Sequence, residues 1–417
     1  MNNNSVIIDK QPTINIGCLG SVSDGKSTLV LQLTGTKTQQ HSNEQKRNIT
    51  IKPGYANMKI WDNNNSLVST NSEGNVINGK LIAHMSFIDC PGHAEIIKTL
   101  LSSISLMHGV IIVISAAEPL SKKPQLIQHL AAVRISKIEN VIIIFNKLDL
   151  ITKEIALERK TELDNMLEKL EIKPKYIIPC ALNKKIGLDN VLRAMVSTFI
   201  NNNILETPEQ KTSEFRITRS FDINKPGVNW DRVQGGVFGG SLSSGQFKIN
   251  DVIEIRPGIF NKNKDGNFTV MPIKSKILSI QTDKTILDTV YPGGLIAIGT
   301  EVDPFYCKND KLAGSIVGIE GKLPNVYQTI VFKCNMTTDF DGTWNPVISD
   351  NVHLQIGNTN IMSTLTNINN DFYTFNLSRP VCVSLDTLIL VCRDIENILR
   401  IVGYGMIDNN MSTIVKC

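Results

Sequence analysis

The spacing of hydrophobic residues changes near residue 200, and the change divides the chain. From 13 to about 200, short apolar runs alternate with stretches whose apolar residues recur at helical spacing. The runs 13–19, 85–88, 110–114, 141–145 and 176–179 predict strands. The stretches 27–33, 96–107, 124–135, 153–170 and 188–199 predict helices. Strict β/α alternation implies a largely parallel, doubly wound sheet, and such sheets bind ligands at the carboxyl ends of their strands. From 215 onward helical periodicity almost vanishes. Short β-rich runs at 235–245, 252–257 and 293–298 stand between Gly, Pro, Asn and Asp turns, which predicts β-barrels. A break near 321–325 splits this region into two barrels. The expected organisation is a tail over 1–12, an α/β domain over 13–203, a polar linker with Pro208 over 204–213, and barrels over 214–324 and 325–417.

Composition narrows the class without naming it. The 417 residues are 41% hydrophobic and 20% charged, as in soluble globular proteins, and the net charge of +4 is too mild to argue for or against nucleic acid. Residues 1–10 lack the apolar core of a signal peptide, and no stretch reaches eighteen unbroken apolar residues, so a cytoplasmic protein with no membrane partner is expected. The eight cysteines are scattered without a C-x-x-C pair, which argues against a zinc site or disulfide framework and suits a reducing compartment. Asn runs at 2–4, 63–65 and 201–203 mark expected surface loops or tails.

The chemistry is concentrated where strands end. Gly20-Ser21-Val22-Ser23-Asp24-Gly25-Lys26-Ser27-Thr28 follows the first strand and opens the first helix, matching the phosphate loop G-x-x-x-x-G-K-[ST]. Glycines let successive N–H groups point at a polyphosphate, and the helix N-terminus adds partial positive charge. Lys26 would reach the β- and γ-phosphates, and the Ser27 hydroxyl would ligate magnesium. Asp89-Cys90-Pro91-Gly92 follows another strand; its Asp can hold magnesium through water and its Gly N–H can bond a γ-phosphate. Asn146-Lys147-Leu148-Asp149 follows a third. The Asp149 carboxylate can accept paired hydrogen bonds from guanine N1–H and its exocyclic amine, a pair adenine does not offer. Asn146 would bond the base and its surroundings, and the Lys147 stem would pack on the ring. Cys180-Ala181-Leu182 after the next strand could present a backbone N–H to the guanine carbonyl. Each motif alone also fits an ordinary turn; their order and shared placement point to a guanine-nucleotide domain binding GTP or GDP. Between the first two motifs, Thr50 can supply a switch hydroxyl that answers magnesium and γ-phosphate, and His93, directly after Gly92, can orient the attacking water.

The chain resembles the translational GTPases and, within them, the gamma subunits of eukaryotic and archaeal translation initiation factor 2. The markers are Arg47-Asn48-Ile49-Thr50-Ile51-Lys52-Pro53-Gly54-Tyr55-Ala56-Asn57, Asp89-Cys90-Pro91-Gly92-His93 and His129-Leu130-Ala131-Ala132. In the barrels they include Asn224-Lys225-Pro226-Gly227, Gly235-Gly236-Val237 with Gly239-Gly240, Ile255-Arg256-Pro257-Gly258, and Gly403-Tyr404-Gly405. The resemblance spans essentially the whole chain. It implies a GTPase domain followed by two barrels, and a GTP-dependent ternary complex with methionyl initiator tRNA delivered to the small ribosomal subunit. It implies an alpha subunit on the second domain and a beta subunit on the GTPase domain, with initiation factor 5 as GTPase activator and a guanine-nucleotide exchange factor. By matching position, Ser23, Asp24, Gly25, Lys26, Ser27 and Thr28 belong to the nucleotide site; Ser27, Thr50 and Asp89 serve magnesium. Gly92 senses the γ-phosphate, His93 and Thr50 serve catalysis, and Val22 and Ile49 flank the histidine. Asn146, Lys147, Asp149, Cys180, Ala181 and Leu182 read guanine, while Tyr55 and the 235–240 region resemble the parts that receive the aminoacylated tRNA end.

Three departures from the pattern bear on function. The family's phosphate loop usually carries His where this chain has Ser21 and again where it has Asp24. A carboxylate at 24 beside a polyphosphate predicts weakened nucleotide binding or altered hydrolysis unless it faces solvent or a cation. Many members carry a cysteine-rich zinc knuckle before D-x-x-G; residues 61–80 here are Asn- and Ser-rich without Cys, so no bound zinc is expected. The 261–267 loop and Trp230 are divergent, and the last domain matches in patches. Two other readings remain at this point: an elongation-type factor carrying another aminoacyl-tRNA, and a nucleotide-bound scaffold that barely hydrolyses GTP.

Overall fold

Continuous apolar runs bury themselves on both faces of one sheet, as parallel strands must when helices cover both sides. The computed structural model describes residues 3–38, 54–90, 97–200, 212–225, 227–229, 232–337, 344–395, 398–408 and 410–415. The chain forms two compact units, Met1–Glu206 with Glu396–Leu399, and Thr207–Ile395 with Arg400–Cys417.

In the first unit, strands β1 (Ile14–Leu19), β2 (Gly54–Asn63), β3 (Ser66–Asn71), β4 (Lys80–Asp89), β5 (Gly109–Ser115), β6 (Val141–Asn146) and β7 (Tyr176–Pro179) form one sheet, ordered β3-β2-β4-β1-β5-β6-β7. Pairings among β4, β1, β5, β6 and β7 are parallel, whereas β2 runs antiparallel to both β3 and β4. Every residue of β1, β5 and β6 is buried. Helices α1 (Asn3–Lys10), α2 (Lys26–Thr34), α3 (Ile97–Ile104), α4 (Pro124–Ile135), α5 (Lys153–Lys169) and α6 (Leu188–Met195) accompany the sheet. Beyond α6 the helix widens through Val196–Ile200.

Two local features escape the apolar pattern. The antiparallel arm of β2 and β3 is too polar to read as buried strand, yet Asn64 and Asn65 both adopt positive φ, 54° and 65°, between paired Asn63 and Ser66. That is the two-residue hairpin turn which Asn tolerates and most residues resist. Helix α1 lies in the stretch expected as a tail. Tertiary contacts hold it: the Ile8 carbonyl lies 3.0 Å from His84 Nδ1 on β4, and Lys59 Nζ of β2 lies 3.2 Å from Asp9 Oδ1.

The second unit holds two antiparallel barrel-like sheets. The first spans Glu214 to Ile319, and pairing of Val252–Lys262 with Phe268–Thr282 joins its ends. The second spans Val326 to Val415, where the Phe332–Ile407 bridge closes the sheet. Each encloses its own apolar core, around Phe215, Phe238 and Ile277 in the first and Phe332, Phe375 and Val391 in the second. Arg256 Nη1 donates to the carbonyls of Leu323 and Pro324, each at 3.0 Å, fixing the segment that joins the barrels. Among the described residues no helix is long and apolar enough to cross a membrane.

Candidate nucleotide site

Parallel register brings the strand-end motifs to one rim. Cys18 of β1 pairs with Asp89 of β4, Ser115 of β5 with Asn146 of β6, and Phe145 of β6 with Pro179 of β7. The phosphate loop leaves β1 at Leu19 and enters α2 through Gly25, whose φ of 108° is left-handed. A side chain at 25 would be strained by that angle and would also meet Asn146 Nδ2 at 2.4 Å. Ser23 holds φ of 63° at the exposed crest of the loop, beside exposed Val22, and Thr28 lies half-buried on α2.

At the phosphate end, Lys26 is buried and its ammonium donates to the Ser21 carbonyl at 2.8 Å. Ser27 Oγ donates to Asp89 Oδ2 at 2.8 Å, and Thr38 Oγ1 donates to the same oxygen at 2.5 Å. Asp89 is fully buried. A carboxylate and two hydroxyls are hard oxygen donors of the kind magnesium takes, so the residues present fit that ion. Thr38 was not anticipated from sequence, because no motif marks a lone hydroxyl eleven residues beyond Ser27. Cys18 and Cys90 sit beside this cluster; burial, reinforced by the Asp89 charge, pushes both thiols well above their usual range and keeps them protonated.

At the base end, Asn146 is a bridge. Its Nδ2 donates to the Asp24 carbonyl at 2.8 Å and its Oδ1 accepts the Leu182 N–H at 3.1 Å. One side chain therefore ties the phosphate loop to the Cys180-Ala181-Leu182 loop. Lys147 takes a left-handed φ of 63° and starts the short turn Leu148–Leu150 that presents Asp149. Asp149 Oδ2 lies 3.3 Å from Lys184 Nζ. Cys180 is buried and its carbonyl accepts the Leu148 N–H at 3.3 Å, which joins the two base-side loops.

Asp24 is turned inward, away from solvent. Its carboxylate is 1% exposed and lies under the loop, where Oδ2 accepts the Ser21 N–H at 2.8 Å and Oδ1 accepts the Ser115 N–H at 3.2 Å. Lys123 supplies the charge: its ammonium pairs with Asp24 Oδ1 and also donates to the Ser115 carbonyl at 3.1 Å. The exception stated for this position, that the carboxylate meets a cation, is the arrangement found. His129 of α4 accepts the Gly20 N–H on Nδ1 at 3.2 Å. Both Lys123 and His129 are more than ninety residues from their loop partners, so neither contact had a local signal.

Burial, with the Lys26 charge second, lowers the His129 pKa to about 3, and burial lowers that of His108, which accepts the Asn15 N–H, to about 4. Between these values and about 6.5, where an unfolded histidine already holds a proton, both stay neutral in the folded protein. The unfolded chain thus binds more protons below 6.5. Stability is full above that pH and is lost as pH falls toward 4 and 3, by about 1.4 kcal/mol per pH unit for each histidine. Urea unfolding between pH 7 and 5 is expected to show this slope, and His129→Asn to remove about one histidine's share. An unchanged slope in the variant would place the proton uptake elsewhere.

Thr50, Ile49, Gly92 and His93 lie outside the described residues. Tyr55 sits half-buried on β2 opposite Ile88. In the first barrel, the Gly235-Gly236 pair precedes the strand Val237–Ser244, and an added Cβ at 235 would meet the Thr300 carbonyl at 1.9 Å. Close backbone approach therefore requires the glycine there whatever else the region does. A cavity of about 600 Å³ opens beside it, lined by Ile223, Val233, Val237 and Leu278 among others. Between β2 and β4 the chain makes the short β3 hairpin. Among the described residues no group of three or more His, Cys, Asp and Glu is arranged to hold a metal ion.

The family described as "Elongation factor Tu GTP binding domain" matches residues 11–201, and "Initiation factor eIF2 gamma, C terminal" matches 339–407. Among solved structures, the translation elongation factor SelB of Methanococcus maripaludis, in complex with the GTP analogue GppNHp, superposes with a TM-score of 0.72. It is 20% identical and covers 96% of this chain and 80% of its own. Sheet order, rim and matches together define the class: the protein is a translational GTPase, and guanine nucleotide is its ligand. The translation initiation factor 2 subunit gamma of Encephalitozoon cuniculi is 35% identical over 98% of this chain and 95% of its own. That of Methanocaldococcus jannaschii is 34% identical over 96% and 98%, and subunit 3 of the Drosophila melanogaster factor is 35% identical over 96% and 90%. The chain belongs to the gamma-subunit family of translation initiation factor 2.

Proposed function

We propose that this chain binds GTP with magnesium along the rim described above, hydrolyses it, and uses that cycle to carry methionyl initiator tRNA to the small ribosomal subunit in the cytoplasm. The observation that carries the nucleotide part is the Asn146 bridge, which makes the phosphate loop and the base-side loop one body. Lys26 and the loop N–H groups take the phosphates. Ser27 and Asp89 would hold magnesium, which would supply neutralisation of phosphate charge. Asp149 reads guanine. Thr50 closes over the γ-phosphate, Gly92 senses it and His93 orients the attacking water.

The larger assembly follows from the family. In this reading the chain is the nucleotide-binding member of a heterotrimer with alpha and beta subunits, the beta subunit on the GTPase domain and the alpha subunit on the first barrel. The barrel shows exposed apolar residues suited to a protein partner, Phe221, Ile223, Val233 and Phe305. Initiation factor 5 triggers hydrolysis, and an exchange factor restores GTP. Asp24, the ground for expecting weakened binding or altered hydrolysis, meets the cation Lys123.

Filter binding of charged initiator tRNA with GTP, with GDP and without nucleotide tests the reading. Retention with GTP at least tenfold above GDP is expected, since ordering of the switch segment by the γ-phosphate creates the receiving surface. Equal retention in all three, or equal retention of an elongator tRNA, would overturn it.

A further inference from the structure

The phosphate loop is braced from beneath by two side chains of one segment. Lys123 stands at the N-cap of α4, and His129 lies on the same helix. The histidine takes the N–H of Gly20 at the start of the loop, and the lysine takes the carboxylate of Asp24 near its end. Asp24 and Lys123 are 1% and 3% exposed, so neither charge is shared with water. A carboxylate this close to a polyphosphate site would repel the ligand if it stood alone. An ammonium in contact cancels that field at short range. The pair also closes the Ser115 main chain into the brace, through its N–H to Asp24 and its carbonyl to Lys123.

We propose that Lys123 is a positioning residue of the nucleotide site: by neutralising Asp24 and holding it down, it keeps the loop receptive to the triphosphate. The inference rests on the guanine-nucleotide reading above. It assigns no contact between Lys123 and nucleotide; the lysine acts through Asp24. Because the brace is electrostatic, the two single neutralisations must act in opposite directions. Lys123→Met leaves a net negative charge under the loop, and Asp24→Asn leaves a net positive one. GTP carries one more phosphate than GDP and feels either change more strongly.

The test is titration of GTP and GDP, with magnesium, into the full chain and its variants. Relative to wild type, Lys123→Met is expected to lower the ratio of GTP to GDP affinity and Asp24→Asn to raise it, each on the order of fivefold. The neutral double variant Asp24→Asn/Lys123→Met returns the ratio to within about twofold of wild type, and Lys123→Arg retains it. A brace that served packing alone would weaken both nucleotides alike, move both single variants in the same direction, and show no recovery in the double. Any of those outcomes overturns the proposal, as does a ratio that no variant moves. If Lys123→Met does not fold, Asp24→Asn and the double variant still decide the sign. Wild type serves as the control for the underlying reading: if it binds neither nucleotide, that reading fails, whereas binding without the sign reversal removes Lys123 alone.

Discussion

Asp149→Asn is expected to lower GTP affinity by about a hundredfold to a thousandfold and to raise affinity for xanthosine triphosphate. In the proposed site the carboxylate would accept from two donors on the guanine edge, and charge-assisted bonds of this type contribute about 1.5–3 kcal/mol each. The amide offers one acceptor and one donor, so one of the two contacts becomes donor against donor. Xanthine carries a carbonyl where guanine has its amine, and the new amide donor meets it. Asp149 sits on the Leu148–Leu150 turn, outside the apolar core, and its ion partner Lys184 lies on an exposed neighbouring turn, so the substitution leaves the fold intact. Competition between the two triphosphates for a fluorescent guanine nucleotide gives the result directly. Equal affinity of wild type and variant for GTP would remove Asp149 from base recognition.

Asn146→Ala should act on both ends of the site at once. The side chain is 3% exposed and satisfies the Asp24 carbonyl and the Leu182 N–H together. Truncation strands two buried polar groups, each costing about 1–3 kcal/mol. Stability of the GTPase unit should fall by about 2–4 kcal/mol, and nucleotide affinity by about a hundredfold as the phosphate and base loops lose their common anchor. Calorimetric unfolding and nucleotide titration measure the two separately. Intact affinity despite lowered stability would show that the loops hold their geometry without the bridge.

The fold was readable where burial is two-sided. Runs such as 110–114 and 141–145 are apolar at every position, because helices cover both faces, and the observed β5 and β6 extend each by one or two residues. The helices at Pro124–Ile135 and Lys153–Lys169 coincide with their expected spans to within one residue. The β2–β3 arm was less readable: it begins at Gly54, passes through Asn57 and Asp62, and is fixed by pairing with β4 rather than by its own pattern. The same holds for α1, whose polar sequence becomes helical against His84 and Lys59. At the site, motif order alone pointed to Lys26, Ser27, Asp89, Asn146 and Asp149, since each ends or follows an apolar strand. Thr38 and Lys123 carried no such mark, and His129 was marked only as part of the His129-Leu130-Ala131-Ala132 resemblance, with no sign of its contact to the phosphate loop.

By itself, the sequence determined an alternating α/β unit before two barrels, and the chemistry of the strand-end loops proposed to receive a guanine nucleotide. Those are local properties: apolar period, glycine at a left-handed turn, and a side chain's place after a strand. Tertiary structure alone decided which way Asp24 points and what neutralises it. That choice depends on an ammonium brought to it across 99 residues of chain by the parallel pairing of β1 with β5. No sequence pattern encodes the outcome, because a buried charge is stable only beside its partner, and only the folded chain puts the partner there.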